Sequence, residues 1–482
     1  MKEELYILQK KHCLPIAVIL LLSVGFILLF SKSTSPLSYY YNGNDSSIPV
    51  TIARGWYYHI IPYKDFFTSN GPWMYWISKI GIAFVHGNKC GIIIPQIINL
   101  FLFLLSVYFI IRLITPNKIY ACTVLCITTV LLKTNYPDGM YSEEFLLPWI
   151  GWSYYFVLRY FNQHSIHYLH SLFFGVTLGI TIMSNTAGLI ALVPIVFIYI
   201  HLLIKKQWKK SLQYLVLLCI GIGMIVVPFI LYFQHQGCLD SMIYDVFQYH
   251  TDTFFHTTKT SYYYKTVITL RITVFISFIS CFFSLFKKKY INSLIYACIG
   301  LLESYYFFQM DFSTNLSMFC IINIPLFCNS IFELFPFRKH PKTTTILCLT
   351  LSFMFLYRFY EKDIQRSIYS IQQYSIYNNQ GWEGLLENIP SEDYDKIVVY
   401  GSKKMNNAYL LSNAMPCYKY FYLQDEISNQ DDSLKQDIIQ TFQTEYAKWI
   451  LCDNHTESIQ DILDSDYECI DHTSIYSLYK RK

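Results

Sequence analysis

Carboxylates stand at two places where the sequence changes from polar to strongly apolar. Asp45 lies in the stretch NGNDSSIPV, and Glu143 and Glu144 lie in YSEEFLLPW. A carboxylate at such a boundary can take a proton from an attacking hydroxyl group or can ligate a metal ion. It can equally cap a helix or stabilise its first turn, where acids are favoured. On these residues alone, both interpretations stay open.

A second polar region, residues 234–265, combines basic side chains with many aromatic rings. Its basic residues that suit contact with phosphate include His250, His256, Lys259 and Lys265. Its Tyr and Phe rings could stack on sugar rings. The same composition is also typical of the aromatic belt at a membrane surface. The region therefore indicates either a ligand site or an ordinary interface.

Long apolar runs predict that membrane-spanning helices hold these polar regions. The chain has 482 residues, of which 53% are hydrophobic and only 15% are charged, whereas a soluble domain has roughly 25% charged residues. A span needs roughly 20 apolar residues, and in lipid it must be helical so that its backbone groups bond internally. About eleven runs qualify as candidate spans: Cys13–Phe30, Gly91–Thr115, Ile119–Leu132, Phe145–Phe161, Leu172–Met183, Leu189–Ile204, Leu212–Phe233, Val267–Phe286, Ile291–Phe308, Leu316–Leu334 and Thr345–Tyr360.

The basic residues predict the orientation of these spans. With the N-terminus placed inside, every strong basic cluster falls on the cytoplasmic side, as the positive-inside rule requires. The clusters are Lys10/Lys11, Arg112/Lys118, Arg159, KKQWKK from Lys205, KKK from Lys287 and FRKHPK from Phe337. The loops after the first, third, seventh and ninth spans then face out, and so does the chain after Tyr360.

The outward regions include a long first loop and a polar tail. In the first loop, Tyr39–Lys89, we expect two short interfacial helices, one over Ile48–Ile60 and one beginning at Pro72. The tail contains two candidate strands, KIVVYGS near Lys396 and AKWILCD near Ala447. We therefore expect a transmembrane domain over residues 1–360 and a small α/β extracytoplasmic domain over residues 361–482. A disulfide between Cys452 and Cys469 is conceivable in the tail.

Composition argues against several classes of function. The net charge of +4 is too small and too scattered for a nucleic-acid-binding protein. The Cys and His residues show no zinc-type spacing, and most of the 14 cysteines lie in apolar runs. The first apolar run is long enough to span and no A-x-A cleavage site follows it, which favours a retained helix over a signal peptide.

Three stretches together resemble a known family of membrane enzymes. They are Asp45, the pattern G-x(6)-P-Y-x-D-F at Gly55–Phe66 with the following Gly71-Pro72, and the segment SEEF-x-x-P at Ser142–Pro148. These stretches look like bacterial GT-C-type membrane glycosyltransferases of the protein-mannosyltransferase and aminoarabinose-transferase-like group. The tail segment NIPSEDYDKIVVYGSKKMNNAYLLSNAMPCYKYFY is similar to the outer domain of such proteins. The resemblance thus covers most of the chain, although its motifs are short.

The resemblance implies a fold and a set of site residues. The expected fold is mainly α, a polytopic helical bundle with a small C-terminal α/β domain. An acid in the first loop is essential in this family, which corresponds to Asp45, and we expect it to act as the general base. A second outer acid, Glu143 or Glu144, would hold a metal ion or position the donor. Substrate binding is expected from Arg54, His59, Tyr63, Asp65, His250, His256, Lys259 and Lys265, with Arg271 as a further candidate.

The resemblance also implies a reaction and a location. A sugar would move from a polyprenyl-phosphate donor to a glycolipid, polysaccharide or protein acceptor, with inversion in a single displacement. No cofactor is certain, and a divalent metal ion held by Asp45 and Glu144 is one option. The expected location is the bacterial cytoplasmic (inner) membrane, crossed several times, with the N-terminus inside and the C-terminal domain outside.

Two other functions stay open at this point. The chain could be a transporter or flippase of lipid-linked glycans, or a non-catalytic envelope assembly protein that keeps the scaffold. Transporters usually show internal repeats and charged or broken helices at the membrane midplane. The sequence has no detectable repeat, its spans contain few charges, and its polar residues collect in the outer loops. This distribution favours chemistry at the membrane surface.

Overall fold

The computed structural model describes residues 2–38, 46–113, 117–134, 139–163, 167–249, 341–376, 382–401, 407–411, 414–422, 447–453 and 459–482, with a few further positions between them. This part of the chain is mainly helical and ends in a small sheet. Its first ten helices are α1 (Lys2–Phe30), α2 (Ser47–Tyr57), α3 (Pro72–Phe84), α4 (Ile93–Arg112), α5 (Lys118–Thr134), α6 (Ser142–Gln163), α7 (Tyr168–Ile182), α8 (Val193–Ile204), α9 (Trp208–His235) and α10 (Leu239–Ile243). The later helices are α11 (Pro341–Phe359), α12 (Gln365–Ile376), α13 (Glu383–Leu386), α14 (Asn407–Leu411) and α15 (Gln460–Asp466).

Most of the predicted spans coincide with these helices. The matching helices are α1, α4, α5, α6, α7, α8, α9 and α11. Three described helices are long and apolar enough to cross a membrane, at Cys13–Phe30, Lys89–Arg112 and Trp208–His235. The candidate spans between Val267 and Leu334 lie almost wholly outside the described residues. The number of spans therefore stays a prediction.

Glycines allow close packing between the described helices α7 and α9. A Cβ on Gly221 would collide with the carbonyl oxygen of Leu172, and a Cβ on Gly175 would collide with that of Leu218. Small residues of this kind let two helix backbones approach in a membrane. By contrast, a Cβ on Gly223 would meet nothing within 4 Å.

The first loop forms two short helices, as expected. Its first helix, α2, begins at Ser47 and is buried along almost its whole length, from Ser47 to Trp56. It packs against α3 and the tail helix α14, so it is more enclosed than the one-sided interfacial helix that we expected. Ser46, which immediately precedes α2, makes no side-chain capping bond. Pro72 occupies the first turn of α3, as predicted.

The tail contains a four-stranded sheet formed by β1 (Ile397–Tyr400), β2 (Trp449–Asp453), β3 (Tyr467–His472) and β4 (Tyr476–Arg481). The strand order is β1-β2-β4-β3. Strands β1 and β2 are parallel, and β4 pairs antiparallel with both β2 and β3. The two predicted strands, β1 and β2, are confirmed and are fully buried. Asp393 connects the starts of β1 and β2. Its carboxylate forms an ion pair with Lys448 at 2.6 Å and accepts a hydrogen bond from the indole of Trp449 at 3.1 Å.

The cysteines and the start of the tail differ from the simplest interpretation of the sequence. Cys452 on β2 and Cys469 on β3 are free thiols. Strand β4 lies between them, and two strand spacings of about 4.8 Å exceed the reach of a disulfide, so the bridge considered from the sequence does not form in this structure. The predicted domain boundary at residue 361 lies in a continuous helical run, since a π-helical turn over Tyr360–Ile364 joins α11 to α12. The division into two domains stays a prediction.

Candidate functional site

Several helix ends meet at one face of the bundle, which we call the loop face. It consists of the segment after α1 (Ser31–Ser38), the first loop, the N-terminal ends of α4 and α6, and the segment after α7. Gly71 donates its amide to the carbonyl of Ser184 at 2.9 Å, and Trp73 donates to Met183 at 2.8 Å. The first loop is thereby fastened to the end of α7. The side of the membrane on which this face lies stays a prediction.

Glu144 occupies the centre of a buried hydrogen-bond network at the loop face. Its Oε1 accepts from the hydroxyl of Tyr136 at 2.8 Å. Its Oε2 accepts from the amide of Met140 at 3.0 Å and from Gln96 Nε2 at 3.3 Å. The network holds this carboxylate in a fixed position at the start of α6.

Gln96 extends the network to the end of α1. Its Nε2 donates to Ser31 Oγ at 2.9 Å, and its Oε1 accepts from Thr34 Oγ1 at 2.6 Å. Ser31 and Thr34 are completely buried, and Gln96 is as well. Gln96, in the first turn of α4, therefore connects the segment that leads into the first loop with the Glu144 carboxylate.

Glu143 points towards a different helix. Its Oε1 accepts from Asn185 Nδ2 at 3.0 Å, and its Oε2 accepts from the hydroxyl of Ser142 at 3.2 Å. Neighbouring residues on a helix are about 100° apart around its axis, so the two adjacent acids serve different partners. Among the described residues, no three His, Cys, Asp or Glu side chains are close enough together to hold a metal ion. A metal held with Asp45 stays a prediction, because Asp45 is outside the described residues.

Five further candidates fall outside the described residues. They are His250, His256, Lys259, Lys265 and Arg271. Their neighbour Tyr249 is described, and its ring packs against the ring of Phe67 at 5.0 Å between centroids. The second polar region therefore reaches the first loop at this point. The roles of the five residues and of Asp45 stay predictions.

The structure separates the four candidates of the first loop into two buried and two exposed residues. Arg54 is 4% exposed and donates from Nη2 to the carbonyl of Ala414 at 2.8 Å, and burial lowers its pKa to about 10. Tyr63 is fully buried and donates to the carbonyl of Asn70 at 2.8 Å. His59 and Asp65 are exposed, and Asp65 closes the loop by accepting from the amide of Ile61 at 2.7 Å.

A buried acid that we did not select from the sequence lies where three polar regions meet. Asp245 is 2% exposed, and its Oδ2 has no hydrogen-bond partner among the described residues. The amide of Phe67 donates to the carbonyl of Lys419 at 2.9 Å beside it, which joins the first loop to the tail. Burial raises the pKa of Asp245 to about 7, and the positive charge of Lys419 opposes this shift. No sequence signal distinguished this acid from its neighbours in a polar loop.

A family comparison matches part of the chain. The model for dolichyl-phosphate-mannose-protein mannosyltransferase matches residues 69–232. The matched segment includes Gly71-Pro72 and the SEEF stretch, whereas Asp45 and Gly55–Phe66 precede it. A search of curated proteins finds no match.

Solved structures resemble the chain over nearly its whole length. ArnT from Cupriavidus metallidurans bound to undecaprenyl phosphate is 10% identical, with a TM-score of 0.55 and coverage of 98% of both chains. The apo state of ArnT gives a TM-score of 0.58 at the same identity and coverage. The chain has the fold of a GT-C-type membrane glycosyltransferase. The archaeal oligosaccharyltransferase AglB from Archaeoglobus fulgidus, in complex with an inhibitory peptide and a dolichol-phosphate, is 13% identical with a TM-score of 0.53, covering 93% of this chain and 70% of that chain.

This GT-C fold accounts for the arrangement of helices and sheet described above. The resemblance inferred from Gly71-Pro72 and the SEEF segment is confirmed by the family match and by the fold. At 10–13% identity the structural likeness concerns the fold, so the roles of individual residues must be argued from this chain.

Proposed function

We propose that this protein is a glycosyltransferase that moves a sugar from a polyprenyl-phosphate donor to an envelope acceptor. The transfer takes place at the outer face of the bacterial cytoplasmic membrane. The GT-C fold supports this proposal, since solved proteins with the same fold are bound to undecaprenyl phosphate or dolichol-phosphate. The apolar helices of the chain would let the lipid part of such a donor stay in the bilayer.

The observation that carries the proposal is the buried network around Glu144. A carboxylate at the border of an apolar helix is costly to bury unless hydrogen bonds compensate it. Here three donors compensate it, and Gln96 connects it to the segment that leads into the first loop. A buried acid held in place near a loop that carries a second acid, Asp45, suits a site that transfers a sugar from a phosphate to an acceptor hydroxyl.

In the proposed reaction, Asp45 takes the proton from the acceptor hydroxyl as its oxygen attacks the anomeric carbon. The bond between that carbon and the phosphate oxygen breaks, and its electron pair leaves with the lipid phosphate. Because attack and departure occur on opposite sides of one carbon, the configuration inverts. Glu144, through its hydrogen bonds to Tyr136 and Gln96, holds the segments around the site in place.

The experiment is a transfer assay with full-length protein in nanodiscs, a radiolabelled polyprenyl-phosphate sugar and an envelope extract as acceptor. Asp45→Asn and Glu144→Gln should each reduce transfer at least 100-fold, because loss of a positioned general base or of its support typically costs that much. Glu392→Gln, which changes an exposed carboxylate of the tail, serves as the control and should transfer like wild type.

Full transfer by Asp45→Asn would show that the base is assigned wrongly. Absence of transfer from every lipid-linked sugar tested, together with movement of a lipid-linked glycan across the bilayer, would favour a flippase instead. Mass spectrometry of envelope glycans from a deletion strain would identify both the missing sugar and its point of attachment.

A further inference from the structure

A mainly apolar groove lies between the beginnings of α7 and α9, at the end of the bundle away from the loop face. Helix α7 ends at the loop face, and Trp56 of the first loop donates to the hydroxyl of Tyr232, near the end of α9, at 2.9 Å. The beginnings of both helices therefore lie roughly 20 Å of helix away from that face. The groove has a volume of about 450 Å³ and is lined by Tyr168, Leu212, Gln213, Tyr214, Val216 and Leu217.

Close contacts between α7 and α9 fix the shape of this groove. Ser171 is completely buried, and its hydroxyl donates to the carbonyl of Tyr214 at 2.6 Å. One turn further along, Gly175 lies against the carbonyl of Leu218. These contacts set the distance between the two helices directly beside the groove. The groove is therefore a built feature of the helix packing.

Positive charge surrounds the beginning of α9. The segment KKQWKK, residues 205–210, connects α8 to α9, and all four of its lysines are exposed. The sequence contains no Asp or Glu between Glu144 and Asp240. The three helices that meet here, α7, α8 and α9, therefore contribute no acidic side chain to balance this charge.

Helical spacing places two of these lysines at the head of the groove. Residues three or four apart lie on the same face of a helix, so Lys209 shares a face with Leu212. For the same reason, Lys210 shares a face with Tyr214. About 5 Å of helix separates each lysine from the side chains that line the groove. No side chain caps the start of α9, and the amides of a first helical turn also attract anions.

We propose that this groove binds an anionic phospholipid of the surrounding membrane. One acyl chain would lie in the groove, and the phosphate headgroup would meet Lys209 and Lys210. Trp208 and Tyr168 are 65% and 53% exposed, and such aromatic side chains favour the level of the headgroups. The positive-inside rule accounts for the lysines but not for an apolar groove beside them.

This site is separate from the proposed sugar transfer, which belongs to the loop face at the other end of the bundle. It rests on α9 crossing the membrane, for which the helix is long and apolar enough. The ends of such a helix lie at the two membrane surfaces, where lipid headgroups are found. The ligand is therefore a structural lipid rather than a substrate.

The test of the headgroup contact is native mass spectrometry of full-length protein in detergent, titrated with phosphatidylglycerol, phosphatidylcholine or glycerol phosphate. Wild type should bind phosphatidylglycerol at least about 10-fold more tightly than phosphatidylcholine. The double variant Lys209→Gln/Lys210→Gln should bind phosphatidylglycerol about 25-fold more weakly, since each lysine near an anionic headgroup contributes about fivefold. Lys64→Gln, which changes an exposed cation of the first loop, is the control and should bind like wild type.

The test of the acyl-chain contact fills the groove. Val216→Trp should weaken binding of phosphatidylglycerol about 10-fold, because excluding two CH₂ groups from an apolar site costs about that much. Leu215→Trp changes a neighbouring side chain that is 48% exposed and does not line the groove. This control should bind like wild type.

Several results would overturn the proposal. Equal binding of the two lipids by wild type would show no selective site, and glycerol phosphate binding as tightly as phosphatidylglycerol would indicate a soluble anion instead. Wild-type affinity in Lys209→Gln/Lys210→Gln would remove the headgroup contact. A dimer that Val216→Trp abolishes and Leu215→Trp does not would show that a second copy fills the groove. If the double variant does not fold, the affinity of wild type for phosphatidylglycerol must still fall as salt rises from about 50 to about 500 mM, and an unchanged affinity would refute the site.

Discussion

Replacing Asp245 by Asn should make the protein more stable at alkaline pH and remove much of its pH dependence. The side chain is 2% exposed, and its Oδ2 has no hydrogen-bond partner in the part of the chain that the structure describes. Burial raises its pKa from 3.8 to about 7. The folded protein therefore binds a proton there between about pH 4 and pH 7, a range in which the unfolded chain has lost it.

The sign and size of the effect follow from this difference in bound protons. Stability falls as the pH rises from about 4 to about 7, because the folded state then binds more protons than the unfolded state. A shift from 3.8 to about 7 corresponds to about 4 kcal/mol of lost stability above pH 7. Asn carries no charge and avoids this loss, although its buried amide would cost about 1–3 kcal/mol if its donors found no partner.

The assay is thermal unfolding in detergent from pH 5 to pH 8.5. The melting temperature of Asp245→Asn should equal or fall below that of wild type at pH 5 and should exceed it by several degrees at pH 8.5. Asp240→Asn, an exposed acid on α10, is the control and should follow wild type throughout. If the curves of Asp245→Asn and wild type run parallel across this range, the buried carboxyl does not titrate as described and the reasoning is wrong.

Four further variants, one of them a control, test the packing and the network. Glu144→Gln places an amide donor against the donors that now bind the carboxylate. The free energy of unfolding, measured by chemical denaturation, should fall by about 1–3 kcal/mol. An unchanged value would contradict the described network. Gly71→Ala forces a methyl group against the carbonyl of Met183 and should lower both melting temperature and transfer activity, whereas a wild-type melting temperature would show that the two segments can separate freely. Gly221→Ala should destabilise the contact between α7 and α9. Its control, Gly223→Ala, has open space around it and should leave stability unchanged or raise it by up to about 1 kcal/mol. Equal melting temperatures of the two variants would refute the packing argument.

Sequence patterns were most informative for the long helices and the buried strands. A run such as Leu212–Phe233 can be recognised because its apolar length matches the bilayer, and the structure has a helix there, Trp208–His235. The strands β1 and β2 were predicted for a similar reason, since they are continuous apolar runs between polar residues. Strands β3 and β4 were missed because most of their residues are exposed or half-buried and mix polar with apolar side chains.

The candidate site was only partly predictable. Glu143 and Glu144 stand out in the sequence because a charged pair directly precedes an apolar run. Gln96 is an amide within an apolar run and carried a weak signal, but nothing local shows that it binds Glu144, 48 residues away. The burial of Lys89 was likewise not predictable, because a basic residue in a loop is usually solvated and only the fold shows that Lys89 is buried.

By itself, the sequence determined that the chain is rich in membrane-compatible helices, that its polar residues collect in a few loops and a tail, and that short motifs resemble GT-C enzymes. Hydrophobic length and periodicity are local properties, so they can be read from neighbouring residues. Only the tertiary structure decided which polar groups are buried together, such as Gln96 with Glu144 or Asn185 with Glu143. Burial and hydrogen bonding between distant segments depend on how the helices pack, and no single stretch of the sequence determines that packing.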